Sequence, residues 1–328
     1  MSENVARLPR APLQRLQLDW LQGAAVELAI LRLDLIDPLL GGNKWFKLSG
    51  HLQQARLAGA DCLASLGGAH SNHLHALAAT ARHCGFSSLG LLRGHPQDTP
   101  TVRDLQAFGM QLHWLGYGGY RERHREDFWD AWRARHPRLY CIDEGGAGLL
   151  GARGCEVLVE QARAQLQDIG WSGYDGWWLA AGTGTTLAGL VLGENGQHPV
   201  HGATAVPSGH GVERRVAEIL REAGCADAGY RLLDASRGAF GKVDAELAGF
   251  IRQCEHNGVP LLDPLYTAKA LMALRYQVLG GYFAPGTRLI FVHSGGLQGR
   301  RAMEPRLEAL AGPVDSFDIQ PAEQALHE

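Results

Sequence analysis

Lysine is nearly absent from this chain. Only Lys44, Lys47, Lys242 and Lys269 occur among 328 residues, and arginine supplies nearly all the remaining positive charge. Cysteine is sparse as well: Cys62, Cys84, Cys141, Cys155, Cys225 and Cys254 are scattered, with no C-x-x-C pair. That spacing argues against a zinc site and a disulfide framework, and it fits a reducing cytoplasm. No apolar run approaches the length of a membrane span, and the stretch Ala24 to Leu31 contains Glu27. Arg7, Arg10 and Arg15 interrupt the N-terminal region, so it offers no export signal. Charge of neither sign dominates, at a net −3, which argues against a nucleic-acid binder. Internal repeats and low-complexity linkers are absent. The expectation is a cytoplasmic globular protein without nucleic-acid or membrane partners.

Glycine, in contrast, is abundant at 43 residues, and 45% of the chain is hydrophobic. The length suffices for two domains with substantial cores. Much of the glycine follows short apolar runs, where it serves tight turns and close approach of backbone to ligand. Val26 to Leu33 reads as a strand, followed by a loop ending in Gly41-Gly42-Asn43-Lys44. Apolar residues at helical spacing from Trp45 to Leu57 put Lys44 just before a helix or in its first turn. Two of the four lysines, Lys44 and Lys47, fall in this segment. An arginine would serve on a solvated surface, whereas only lysine has an amine that can lose its proton and attack a carbonyl. A plain surface lysine in a glycine turn is the competing explanation.

The same grammar recurs. Cys62 to Leu66 reads as a buried strand leading to Gly67-Gly68-Ala69-His70-Ser71-Asn72 and a helix from about His73 to Cys84. Ser71 and Asn72 are good N-cap residues, and free N–H groups there suit a carboxylate, though they would also cap a helix with no ligand present. Strands at Ser87 to Leu92 and Gln111 to Leu115, with a helix at Thr101 to Gly109, complete a small α/β unit ending near Cys141. Arg121 to Arg138, with acids interleaved among its arginines, predicts a solvated amphipathic helix up to Pro137. A loop at Glu144 to Gly148 enters a helix at Gly151 to Gln167. Trp177 to Ala181 runs straight into Gly182-Thr183-Gly184-Thr185-Thr186, an arrangement that binds phosphate at a helix N-terminus but lacks the lysine of a Walker loop. A strand from about His201 to Val206 and a helix at Val212 to Glu222 follow. Thr287 to Val292 is a strand ending in His293-Ser294-Gly295-Gly296, and a polar tail follows Ala311. Together the stations offer an amine, a carboxylate site, a phosphate cup and a hydroxyl. A cofactor with an aldehyde, a phosphate and a ring nitrogen would use all of them, and pyridoxal 5'-phosphate is that cofactor.

At this point the chain resembles the pyridoxal-phosphate enzyme family that includes D-cysteine desulfhydrase and 1-aminocyclopropane-1-carboxylate (ACC) deaminase. The resemblance runs from about Leu28 to Gly299. It is carried by Gly-Gly-Asn-Lys44, Gly-Gly-x-x-Ser71-Asn72-His73, Glu144-Gly145-Gly146, Gly182 to Thr186, Asp263-Pro-Leu-Tyr266-Thr267-x-Lys-Ala and His293-Ser294-Gly-Gly. It implies an α/β fold of two open, mostly parallel sheets, of the tryptophan synthase β type (pyridoxal-phosphate fold type II). Residues 1–45 and 151–328 would form the larger cofactor domain, and residues 46–150 the smaller one. Lys44 matches the lysine that carries the cofactor, and Asn72 the residue beside its ring hydroxyl. Gly182, Thr183, Gly184, Thr185 and Thr186 match the phosphate cup, and Ser294 faces the ring nitrogen. Ser71, Asn72, His73 and Tyr266 would hold the substrate, a small amino acid, with Lys44, Ser71 and Tyr266 catalytic. No metal is implied, and relatives of this fold are commonly homodimers.

Three departures bear on substrate. ACC deaminases carry Tyr-Glu where this chain has Tyr266-Thr267, and a second active-site tyrosine where it has Phe240. His70 replaces a residue that is often Gln in relatives; with His73 and His75 it makes a local cluster that straddles a turn, poorly arranged for a metal. Tyr266-Thr267, together with the hydroxyl of His293-Ser294-Gly-Gly, resembles the desulfhydrase side, and Phe240 counts against ACC deamination. The expected activity is α,β-elimination from D-cysteine or a related amino acid. ACC deamination, racemisation and a non-catalytic pyridoxal-phosphate-binding role are the alternatives.

Overall fold

Trp177 and Trp178 are neighbours in the chain, both fully buried, and each packs into a different hydrophobic core. Side chains alternate across a strand, so a strand buried at every position is covered on both faces. The computed structural model, which describes residues 9–311, places the pair in the middle of the larger of two sheets. In chain order the strands are β1 Leu13–Leu16, β2 Glu27–Arg32, β3 Cys62–Gly67, β4 Ser87–Leu92, β5 Gln111–Trp114, β6 Leu139–Cys141, β7 Gly176–Ala181, β8 Val200–Thr204, β9 Tyr230–Asp234 and β10 Arg288–His293. The six-stranded sheet has the order β1-β2-β10-β7-β8-β9, and the four-stranded sheet β5-β4-β3-β6. Only β1 is antiparallel, along β2 at the edge; the other pairings are parallel. Two open, mostly parallel sheets are what the motifs implied.

Helices cover the sheets because parallel neighbours need crossover connections. Three of them, Asn43–Leu57, Leu149–Arg163 and Thr185–Glu194, stack at backbone distance. A Cβ at Gly154 would overlap the Phe46 carbonyl, and one at Gly189 the Ala152 carbonyl. These glycines bring the first turns of the outer two helices side by side. Asn43 and Thr186, in those first turns, hydrogen-bond directly.

Several elements differ from expectation. The single helix expected over Arg121 to Arg138 is broken. A helix Gly116–Arg121 passes into a 3-10 turn Glu122–His124, the backbone is extended at Arg125, and a second helix covers Asp130–Arg135. The aromatics explain the break: Tyr120 and Trp129 are both buried on the small sheet, and their nine-residue separation does not match one face of a continuous helix. The helix expected to reach Gln167 ends at Arg163 and gives way to a 3-10 turn. Strands β1 and β9 and a helix Ala245–His256 are additions. The polar tail expected after Ala311 lies outside the described residues. Among the described residues, no helix is long and apolar enough to cross a membrane.

Candidate active site

Strands β2, β10 and β7 are neighbours in the larger sheet, and each releases the chain at its carboxyl end into a glycine-bearing loop. Open α/β sheets bind ligands at that edge. After β2 the chain reaches Gly42, whose φ of 89° suits glycine and whose Cβ, if it had one, would strike the Ser294 carbonyl. The helix begins at Asn43, so Lys44 stands in its first turn. Lys44 Nζ donates to Asn43 Oδ1 at 3.0 Å, and Asn43 Nδ2 donates to Thr186 Oγ1 at 2.9 Å. The Asn43 backbone N–H donates to the Ser294 carbonyl at 3.1 Å. One asparagine thereby ties the lysine, the glycine-threonine turn and the Ser294 loop together.

Lys44 is half-buried. Loss of water lowers its pKa from 10.5 to about 8, with Cys155 and Asp263 offsetting part of the shift. Lys47, one turn further on, is buried, and its Nζ donates to the Gly145 carbonyl and to Thr183 Oγ1, both at 3.3 Å. Burial, followed by repulsion from Lys44, lowers its pKa to about 7.

After β7, Gly182, Thr183 and Gly184 turn the chain into the helix Thr185–Glu194, which has no side-chain cap. The first N–H groups of that helix lack intrahelical partners and carry the positive end of its dipole. Thr183 Oγ1 and Thr185 Oγ1 lie 2.9 Å apart. With the Lys47 amine beside them, these groups form a cup suited to an anion.

The smaller sheet contributes the turn after β3. Ser71 caps the helix Asn72–Cys84, its Oγ accepting from the Leu74 N–H at 3.1 Å, so the capping role is real. The hydroxyl proton and the first helical N–H groups, at Asn72 and His73, stay available for a carboxylate. The His73 ring is buried, with Nε2 2.8 Å from Ser65 Oγ, and burial followed by Lys44 and Lys47 keeps it neutral. Its backbone, rather than its ring, belongs to the carboxylate site. His70 is exposed, and His75 turns to Asp104 at 3.1 Å, so the three histidines do not converge. Among the described residues, no group of three or more His, Cys, Asp or Glu is placed to hold a metal.

Tyr266 lies over the phosphate turn: a Cβ on Gly182 would come within 3.0 Å of its ring. Burial, with the charges of Asp263 and Glu144, pushes its pKa up, so the phenol stays protonated. Phe240 meets that ring edge-on, with centroids 5.5 Å apart. Thr267 is fully buried, and its hydroxyl donates to Asp263 Oδ2 while accepting from the Asp263 N–H, both at 2.8 Å. It locks the Asp263 turn and is unavailable to a ligand.

Asn43, Lys47 and Asp263 join the site without having been singled out as site residues. The scarcity of lysine pointed at Lys47, but its partners lie about a hundred residues or more away, at Gly145 and Thr183. Nothing in the sequence predicts which side chain Asn43 will meet.

These residues fit the cofactor implied by the motifs. A half-buried amine of lowered pKa suits an aldehyde, and the Gly182 to Thr186 cup suits a phosphate. Asn72 Oδ1 is buried with no hydrogen-bond partner among the described residues. An unpaired buried oxygen is costly, and a ring hydroxyl is the kind of donor it lacks.

No protein-family model matches the chain. An ACC deaminase of Burkholderia vietnamiensis is 30% identical over 318 residues, covering 88% of this chain and 91% of its own. A putative ACC deaminase of Pyrococcus horikoshii is 28% identical over 281 residues, covering 82% of this chain and 84% of its own. The crystal structure of an ACC deaminase homologue superposes with a TM-score of 0.79 at 27% identity, covering 93% of this chain and 97% of that one. O-ureido-L-serine synthase shares the fold, with a TM-score of 0.68 at 14% identity. The chain therefore belongs to the family of pyridoxal-phosphate-dependent lyases and deaminases that includes ACC deaminase and D-cysteine desulfhydrase, with their tryptophan synthase β-like fold.

Proposed function

We propose that the protein catalyses α,β-elimination from D-cysteine or a related β-substituted small amino acid. Bound pyridoxal phosphate supplies an aldehyde that joins an amine and a ring that takes up the electron pair left when an α-proton departs. Lys44 would carry the cofactor and, once displaced by the substrate amine, remove the α-proton. A pKa near 8 leaves it basic enough to take that proton and free enough to be unprotonated beforehand. Ser71 and the first N–H groups of its helix would hold the substrate carboxylate. The cup with Lys47 would hold the phosphate, Asn72 would meet the ring hydroxyl and Ser294 the ring nitrogen. Tyr266, kept protonated, would give its proton to the departing β-group. D-cysteine then loses an α-proton and its thiol as hydrogen sulfide; the 2-aminoacrylate released adds water and yields pyruvate and ammonia.

The observation that carries this choice is the Phe240 ring against Tyr266. The pocket has one phenol there, beside an apolar ring that can neither donate nor accept a proton. A single acid suffices for expelling a β-substituent. Opening a cyclopropane that has no α-proton to lose needs a group that attacks or protonates a ring carbon. The names of the relatives support ACC deamination as a second reading.

Both readings meet in one assay. Purified, cofactor-loaded protein is given D-cysteine or ACC, with Lys44→Ala as the blank. Lysine-dependent pyruvate and sulfide from D-cysteine, with no 2-oxobutanoate from ACC, is the expected result. The reverse pattern would establish ACC deamination and overturn the role given to Phe240.

A further inference from the structure

Lys269 is one of the four lysines, and it is buried, with 2% of its surface exposed. It lies on the helix Thr267–Leu279, three residues beyond Tyr266. Its ammonium donates to three backbone carbonyls: Ser236 at 2.9 Å, Ala239 at 3.1 Å and Phe240 at 2.9 Å. An ammonium has three N–H donors, and all three are spent on one loop. That loop follows β9 and has little regular structure of its own. Arg237 and Gly238 both take positive φ, 59° and 87°. Arg237 is held by Asp244 at 2.7 Å and Glu246 at 2.5 Å, and it reaches Met272 Sδ at 3.6 Å. Phe240, at the end of the gripped segment, leaves 41% of its surface exposed while its ring meets Tyr266. Burial alone does not hold such a ring in place.

We propose that Lys269 is a positioning residue that sets the width of the substrate pocket, by clamping the carbonyls of Ser236, Ala239 and Phe240 so that the Phe240 ring stays against Tyr266. The same helix start thus carries the phenol and the amine that places its neighbour. The second half of the proposal rests on the reading of Tyr266 as a residue facing the substrate. The clamp itself does not.

The test separates the two. In Lys269→Ala, the loop is released and tryptic cleavage between Arg237 and Gly238, identified by mass spectrometry, rises at least tenfold. Added n-propylammonium occupies the ring of carbonyls and slows cleavage again, whereas n-propanol does not. In the cofactor-loaded protein, the amino-acid concentration giving half the change in cofactor absorbance rises about tenfold. The absorbance without amino acid stays as in the parent. Phe240→Ala leaves the clamp intact: it reproduces the weaker amino-acid response, with unchanged cleavage. Lys269→Met, which keeps the packing of the side chain, replaces the alanine variant if that fails to fold. Unchanged cleavage in both lysine variants overturns the clamp. Faster cleavage with an unaltered amino-acid response overturns the positioning role. If the parent itself shows no response to any amino acid, the substrate-site reading falls, and the cleavage rates still decide the clamp.

Discussion

Lys44 and Lys47 sit one turn apart on the same helix, yet their surroundings ask different things of the same side chain. Lys44 is half-buried beside a single acceptor, Asn43 Oδ1. Its amine must be unprotonated to attack an aldehyde, and with a pKa of about 8 roughly a tenth of the amines qualify at pH 7. At the ordinary value of 10.5 fewer than about one in a thousand would. The rate at which apoprotein captures pyridoxal phosphate, followed by stopped-flow absorbance, should therefore rise with pH through a midpoint near 8. A rate still climbing above pH 10 would show the amine to be unperturbed. Lys47 faces Thr183 and the anion cup, and a phosphate there would restore the positive charge that burial and Lys44 discourage. Hydrogen bonds to charged groups contribute about 1.5–3 kcal/mol, so Lys47→Gln should loosen the cofactor about ten- to a hundredfold in a spectral titration. The link to Lys44 should remain trappable by borohydride. Residue chemistry singled out Lys44, because an amine after Gly-Gly-Asn can do what arginine cannot, but only the run of motifs along the chain raised it above a plain surface lysine. Asn43 was not legible, because its role lies in two hydrogen bonds to segments far along the chain.

At the scale of elements, the helix Thr185–Glu194 is anchored at both ends by different chemistry. Its start is the anion cup. Its end is Glu194, 1% exposed, which accepts from the Tyr174 hydroxyl, from Trp177 Nε1 at 2.5 Å, and from Arg163 and His198 at 2.8 Å each. Burial alone would raise its pKa, but these donors outweigh it and hold the carboxyl below its ordinary 4.5. A depressed carboxyl contributes stability that is complete above the unfolded value and fades as pH falls through the folded one. Glu194→Gln keeps one acceptor but turns an amide N–H₂ toward buried donors, and should cost about 2–4 kcal/mol in urea unfolding at pH 7. The gap between parent and variant should narrow steadily below pH 4.5, and a gap independent of pH would show that the charge is irrelevant. Elements buried on both faces, such as β7 and β10, were easy to read because β7 is apolar or small at every position and β10 is apolar from Leu289 to Val292. Strand β9 was not, since none of its residues is fully buried and its pattern carries no clear period. The broken region 116–135 misled for a related reason. Its charges suggested one solvated face, while Tyr120 and Trp129 were committed to the small sheet at a spacing only a broken helix allows.

Across the whole molecule, the candidate site draws on both sheets, and few direct links join them there. The loops after β2, β7 and β10 come from the large sheet, while Ser71 and Asn72 come from the small one. Asn72 leans on Gly296 and Gly299, and Arg301 pairs with Asp104 across the same seam. A ligand touching Lys44, the cup and Asn72 would add contacts that neither sheet can make alone. Binding to the folded state at a hundred times the dissociation constant adds about 2.7 kcal/mol, which for a chain of this size raises the unfolding temperature by roughly 5 °C. Where that stabilisation appears is the sharper test. With pyridoxal phosphate, hydrogen exchange should slow in peptides from both the Thr185–Glu194 helix and the Asn72–Cys84 helix. Inorganic phosphate, which fills only the cup, should protect the first and leave the second exchanging as in apoprotein. If the complete cofactor also protected only the Thr185–Glu194 helix, Asn72 would not be a cofactor contact. Its unpaired amide oxygen would then need another partner, and the small sheet would serve the substrate alone.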